Sequence, residues 1–111
     1  MNFLSRVAKI NIPIKKFTEY ALNEQADKDK TIAFERALGY NLNNVDKLIE
    51  NIRSNISKFP AKYKGNKGYG DLYEVVMILE GENGKSAKVL TAWMDDVKLG
   101  EVRLLTVHID N

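Results

Sequence analysis

The stretch LYEVVMILEGENGKSAKVLTAWM, residues 72–94, decides the fold. Apolar residues alternate along both of its halves, which is the period of a half-buried β-strand. The residues that share one face are Tyr73, Val75, Met77 and Leu79 in the first half, and Ala87, Val89, Thr91 and Trp93 in the second. The GENG motif at 81–84 is typical of a hairpin turn. The stretch therefore predicts two paired antiparallel strands.

A third strand is predicted in EVRLLTVHI, residues 101–109. Its alternation places Leu105, Val107 and Ile109 on one face, and the other face carries Leu104, Thr106 and His108. The outward face of the sheet is then unusually apolar, with Val76, Ile78, Leu90, Ala92 and Leu104. Because a solvated sheet face is normally more polar, we expect another element or a partner protein to cover it.

The first half of the chain has helical periodicity, in residues 13–23, 30–39 and 43–56. Gly39 can end the second helix in a left-handed conformation, and Asn43 or Asn44 can cap the third. The predicted fold class is α+β, with N-terminal helices packed on one face of a C-terminal antiparallel meander of at least three strands. We expect a single domain over 1–111, helical from about 13 to 57 and β from about 70 to 110.

Composition excludes several functional classes. The 111 residues contain no cysteine and one histidine, which removes disulfides, thiol chemistry and the usual zinc clusters, so neither a metal nor another cofactor is predicted. No apolar run is long enough to span a membrane, and the first residues are too polar for a signal peptide. We expect a cytoplasmic protein, or a module of a larger one.

Charge is distributed unevenly along the chain. Residues 1–70 hold 13 lysines and arginines against 7 acids, whereas residues 71–111 hold 4 against 8. The stretch KFPAKYKGNKGYG, residues 58–70, mixes lysines with aromatics and contains no acid. Lysines neutralise phosphates, and exposed aromatic rings stack on unpaired bases. We therefore predict that this segment binds RNA through Lys58, Lys62, Tyr63, Lys64, Lys67 and Tyr69. A solvated loop whose aromatics enter the core is the alternative.

Cleavage of RNA without a metal needs a base for the 2′-hydroxyl proton, an acid for the leaving 5′-oxygen, and cations for the phosphate charge. The chain offers all three groups, and the imidazole of His108 is chemically suited to either proton role. A lone histidine near a terminus fits an ordinary surface residue as well.

Four stretches together resemble one domain family: IPIKKFTEYALN, DKTIAFERALGYN, GYGDLYEVVMILEGENGKSAKVLTAWM and GEVRLLTVHID. This family occurs at the C-terminal ends of filamentous-haemagglutinin-like and contact-dependent inhibition proteins of bacteria, in other polymorphic toxins, and as short free-standing proteins. The resemblance covers about residues 11–110. It implies a metal-independent ribonuclease toxin of the barnase/EndoU/colicin/RelE type. The implied substrate is RNA, often transfer RNA, and the implied partner is a cognate immunity protein.

The resemblance also implies a site. The family pattern matches Lys16, Lys30, the pair Tyr69 and Gly70, Thr91, Trp93, Arg103 and Thr106, and it departs at His108, where a tyrosine is usual. Lys16, Lys30 and Arg103 would then stabilise phosphate charge, His108 would be the acid or base, and Thr91, Thr106 and Tyr69 would support them. Thr91 also fits a buried hydrogen bond, and Arg103 an ion pair with Glu101 or Asp71.

The implied toxin acts in the cytoplasm and can be delivered as the C-terminal module of a larger secreted protein. Two other functions stay open. The apolar outward sheet face favours a non-enzymatic interaction module, immunity-like or phage-encoded, with which a homodimer is compatible. The basic segment alone favours a nucleic-acid binder without catalysis.

Overall fold

The computed structural model describes residues 9–68, 70–96 and 98–110. The elements run in the order β1 (Lys9–Asn11), a π-helical turn (Phe17–Ala21), α1 (Lys28–Leu38), a 3-10 turn (Leu42–Asn44), α2 (Val45–Asn55), β2 (Ala61–Asn66), β3 (Asp71–Glu80), β4 (Ser86–Asp96) and β5 (Glu101–Ile109). The predicted α+β class, with helices ahead of an antiparallel meander, is confirmed.

The described strands form one mixed sheet in the order β1-β5-β4-β3-β2. The hairpin of β3 and β4 is its centre, paired without interruption from Asp71 with Asp95 to Glu80 with Ser86. The neighbours β2 and β5 are antiparallel to this hairpin, whereas β1 pairs parallel with the start of β5. The sequence did not predict β1 or β2, and the basic stretch after Pro60 is an edge strand rather than a loop.

Both helices pack on one face of the sheet and form the core with it. Leu48 and Ile52 of α2 and Phe34 of α1 are fully buried together with Trp93 and Met77 of the sheet. The spacing of these side chains gives each helix an apolar stripe directed at the strands. The opposite sheet face, which we call the outer face, therefore carries the alternate residues of each strand.

The β3–β4 turn is tied to the end of α1. Gly39 ends this helix in the predicted left-handed conformation, with φ of 75°. The Glu82 N–H donates to the Leu38 carbonyl at 2.8 Å and so satisfies one of the last helical acceptors. A Cβ atom on Gly81 would collide with the Leu38 backbone, so a side chain there would separate the turn from the helix.

One prediction about β5 is wrong because the strand contains a bulge. Ala92 pairs with Thr106 but the next residue of β4, Trp93, pairs with Leu104, which leaves Leu105 as an extra residue. The side-chain alternation changes phase at this point, so Leu104 and Val107 are both buried on the helix-covered face. Leu104 therefore does not belong to the outer face, and Leu105 does not share a face with Val107.

Two other local details differ from prediction or complete it. The 3-10 turn ahead of α2 is capped by Asn41, whose side chain accepts from the Asn43 N–H, while the Asn44 side chain accepts from the Asn41 N–H. Of the two predicted caps of α2, Asn44 occupies the N-cap position, although its side chain forms no capping hydrogen bond to that helix, and Asn43 does not occupy it. Within the described part of the chain, no helix has the length and apolar character needed to cross a membrane.

Candidate functional site

A concave pocket of about 220 Å³ opens where β5 meets the π-helical turn and α1. Its lining comprises Lys16, Tyr20, Ala21, Lys30, Leu105, Thr106 and Val107. Lys16, Lys30 and Thr106 belong to the predicted site, although they come from three separate elements. The fold therefore brings half of the predicted catalytic set to one place.

The pocket exists because β1 is short. Within the described residues it pairs with β5 at Glu101, Val102 and Arg103, and Pro13 then prevents further pairing because it has no N–H to donate. The chain turns into the π-helical turn instead, and the following part of β5 has no described strand beside it. The Leu105 bulge falls in this part, so the pocket wall includes a distorted strand edge. Bulges are frequent beside active sites.

Lys16 and Lys30 give the pocket its positive charge. Lys16 directly precedes the π-helical turn, and Lys30 lies in the first turn of α1, where its N–H donates to the Asp27 side chain at 3.0 Å. Among the described residues neither ammonium group forms an ion pair. A cation early in a helix gains nothing from the helix dipole. Two such lysines on one concave surface make it suited to an anion.

Tyr20 is a site residue that sequence reasoning missed. The residue is 56% exposed, and the Lys16 Nζ atom lies 5.9 Å from the ring centroid, within cation–π distance. The available signal was its position on the polar side of the first predicted helix, where a large aromatic has no packing role. An exposed ring beside two lysines can stack on an unpaired base.

Thr106 and His108 lie on the outer face of β5. Thr106 is exposed and lines the pocket, whereas His108 is half-buried and pairs with Leu90 of β4. Residues two apart on a strand point the same way and are about 7 Å apart. The imidazole is therefore beside the pocket, one step further along the strand, and does not line it.

Thr91 lies in the core and not in the site. Its hydroxyl is fully buried, donates to the Val75 carbonyl at 2.7 Å and accepts from the Trp93 indole N–H at 2.7 Å. A dissolved substrate cannot reach it, so the predicted catalytic role of Thr91 is corrected to a structural one. Trp93, the neighbouring position of the family pattern, is also fully buried in the core.

Arg103 is also outside the pocket. Its guanidinium contacts the Asp96 carboxylate at 3.4 Å on the outer face, where β4 ends and β5 begins. Neither acid proposed from the sequence is its partner. Glu101 instead contacts Asn11 and Lys9 of β1, and Asp71 accepts from the Asn66 side chain. The paired charge of Arg103 makes it a weaker phosphate ligand than the two pocket lysines.

The predicted RNA-binding segment lies at the opposite edge of the sheet. Lys62, Tyr63 and Lys64 belong to the edge strand β2, and Lys58 and Lys67 flank it, all of them exposed. Lys64 lies 3.7 Å from Glu74, and Tyr63 packs edge-on against Tyr73. Tyr69 lies outside the described residues. Lysines on an edge strand also block pairing with other chains, so this segment can be explained without any role in RNA binding.

The end of the sheet where β5 begins is acidic. Burial and the neighbouring carboxylates of Asp71 and Asp96 raise the pKa of Asp95 above its usual 3.8. The pKa of Tyr73 is raised as well, by burial first and then by Asp71 and Asp95. Like charges at this end disfavour a bound phosphate. In the described part of the chain, no three His, Cys, Asp or Glu side chains are grouped so that they could hold a metal ion.

Comparison with known protein families gives a match over nearly the whole chain. Residues 3–111 match a family described as Domain of unknown function (DUF6883). No curated protein and no solved structure is similar enough to the chain to count as a match.

Proposed function

We propose that this chain, which belongs to the DUF6883 family, is a metal-independent ribonuclease domain that acts as a toxin in bacterial competition. The observation that carries the proposal is the convergence of Lys16, Lys30 and Thr106 in one pocket with an exposed tyrosine. These groups suit a phosphodiester because lysines neutralise phosphate oxygens and a hydroxyl donates to them.

The proposed reaction is transesterification within the RNA strand. The 2′-hydroxyl oxygen bonds to phosphorus and the bond to the 5′-oxygen breaks, which gives a 2′,3′-cyclic phosphate and a free 5′-hydroxyl. A base takes the proton of the 2′-hydroxyl and an acid supplies one to the 5′-oxygen. In this proposal Lys16 and Lys30 stabilise the extra charge on the phosphorane-like state, and Thr106 donates to a non-bridging oxygen.

His108 is the proposed proton-transfer group. It is the sole histidine of the chain and lies about 7 Å along β5 from Thr106, on the same face. A nucleotide whose phosphate sits in the pocket would extend its ribose toward this face. Because Arg103 is engaged by Asp96, the two lysines take the phosphate role that the family resemblance implies for all three cations.

The biological context of the proposal rests on the resemblance to polymorphic toxin domains. The substrate would be transfer RNA or another cytoplasmic RNA, the domain would be delivered by a larger secreted protein, and a cognate immunity protein would block it. The pocket lysines are the natural target of such an inhibitor, since an acidic surface would neutralise them.

The test is incubation of the purified chain with total transfer RNA in EDTA, read on a denaturing gel. We expect cleavage products with cyclic phosphate ends. The double variant Lys16→Ala/Lys30→Ala should lose at least about 100-fold in rate, the loss seen on removing one key electrostatic group. The matched control, Lys85→Ala/Lys98→Ala, removes two exposed lysines from turns outside the pocket and should cleave normally. Intact transfer RNA with the unmodified chain would refute the proposal.

A second function is favoured by the outer face of the sheet. Val76 and Ile78 are 39% and 57% exposed there, because the helices pack on the other side. A non-enzymatic interaction module would use this apolar surface for a partner or a second copy. Size-exclusion chromatography showing a stable homodimer, together with no RNA retention at low salt, would favour this function. Salt-dependent RNA retention without cleavage would instead indicate a nucleic-acid binder.

A further inference from the structure

We infer that the outer face of the sheet is a track for single-stranded RNA, which runs across the strands from the pocket at β5 to the lysines of β2. This inference rests on the proposed function, since it takes the pocket as the place where one phosphate is held. It assigns a role to the basic segment and to the apolar face, which the pocket by itself leaves unexplained.

The strand register defines the track. Thr106 pairs with Ala92, Ala92 pairs with Glu74, and Glu74 pairs with Lys62, so these four residues form one row across the outer face. The row spans three strand spacings, about 14 Å. A four-stranded sheet of another RNA-binding fold holds two or three bases over a comparable width. The row is therefore long enough for a short single strand.

Charge complementarity selects a polyanion as the occupant. Lys16 and Lys30 line the pocket together with Thr106, which is the β5 end of the row, and Lys62 and Lys64 lie at the β2 end; all four lysines are exposed or half-exposed. The one acid in the row, Glu74, is within 3.7 Å of the Lys64 ammonium group, which reduces its repulsion of phosphate. Positive charge at both ends fits an extended strand and does not require one compact anion.

The track is bordered on one side by mostly apolar side chains. The adjacent row contains Val76, Leu90 and His108, and Ile78 lies further along β3 on the same face. Base faces are apolar and pack on such side chains, while the phosphates reach the lysines at the edges. Duplex RNA would present its backbone here instead of its bases, so the surface favours an unpaired strand.

The experiment measures the affinity of 2′-O-methyl oligonucleotides, which bind but cannot undergo attack by the 2′-hydroxyl. Fluorescence anisotropy with strands of two, four, six and eight nucleotides should show affinity rising to about four nucleotides and then levelling off. Lys62→Ala/Lys64→Ala should weaken the six-nucleotide strand about tenfold and lower its salt dependence by roughly 1.4 log units per log unit of salt. The same variant should bind the dinucleotide like the unmodified chain.

A second variant reports on the middle of the track. Leu90→Glu places a negative charge in the apolar row beside the track. It should lower the affinity for the six-nucleotide strand and leave the affinity for the dinucleotide unchanged. Circular dichroism and melting temperature would verify that each variant folds. Lys85→Ala/Lys98→Ala is the control of equal charge and should match the unmodified chain throughout.

The outcomes separate the track from the ribonuclease proposal. If affinity does not increase beyond the dinucleotide, or if the β2 lysines have no effect, the track is wrong although transfer RNA cleavage still stands. A homodimer that Ile78→Arg dissociates would assign the outer face to a second copy and overturn the track as well. If the unmodified chain neither binds the dinucleotide nor cleaves transfer RNA, the pocket is not a phosphate site and both proposals are refuted.

Discussion

Two threonines separate the roles of core and pocket at the scale of single residues. Thr91→Val removes the acceptor of the Trp93 indole N–H and leaves the Val75 carbonyl without its side-chain donor. Buried polar groups that lose their partners cost about 1–3 kcal/mol of folding free energy, which urea unfolding would measure. We expect the rate of RNA cleavage at a temperature where the variant is folded to stay unchanged.

Thr106→Val is the matched substitution on the exposed strand position. It should leave the free energy of unfolding within about 0.5 kcal/mol, because Thr106 is exposed. The cleavage rate should fall, since the proposed phosphate donor is lost. The opposite pattern, with activity lost at Thr91 and retained at Thr106, would return the catalytic role to the core threonine.

At the scale of elements, the docking of the β3–β4 turn on α1 depends on a glycine. Gly81→Ala would drive its Cβ into the Leu38 backbone and disrupt the Glu82 to Leu38 hydrogen bond. We expect a loss of about 1–3 kcal/mol in unfolding free energy, typical of overpacking. Amide exchange of Glu82 should accelerate. Gly84→Ala is the comparison, because Gly84 has open space around it and φ of 80°, so only backbone strain of about 1 kcal/mol applies.

The elements also show which parts of the fold sequence patterns can carry. The β3–β4 hairpin and α2 were predictable because their apolar period lies within one local stretch. The short strand β1 was not, since it is three residues long and its partner Glu101 is about ninety positions away. The β2 segment has no apolar alternation because an edge strand leaves its lysines in water. A bulge such as the one at Leu105 changes which face the following side chains occupy, and nothing in the local sequence indicates it.

At the scale of the whole molecule, the fold divides the residues predicted from the sequence between two opposite edges of the sheet. Lys16, Lys30 and Thr106 share a pocket, whereas the lysines of β2 lie at the far edge of the same sheet. The choice of these residues came from a family resemblance and from charge, neither of which specifies distance. The net charge of +2 is too small to attract RNA to the molecule as a whole. Binding must therefore depend on where the lysines converge.

Expression in bacteria that lack an immunity protein tests the molecule as a whole. If the domain is a ribonuclease toxin, induction of the unmodified chain should arrest growth and deplete intact transfer RNA. Lys16→Ala/Lys30→Ala should restore growth because the proposed phosphate site is lost, while Lys85→Ala/Lys98→Ala should stay toxic at equal protein levels. Growth and transfer RNA would be followed by optical density and northern blot, with immunoblots to equalise expression. Normal growth with abundant, folded, unmodified protein would contradict the toxin assignment and would favour an interaction module that binds a partner through the outer face of the sheet.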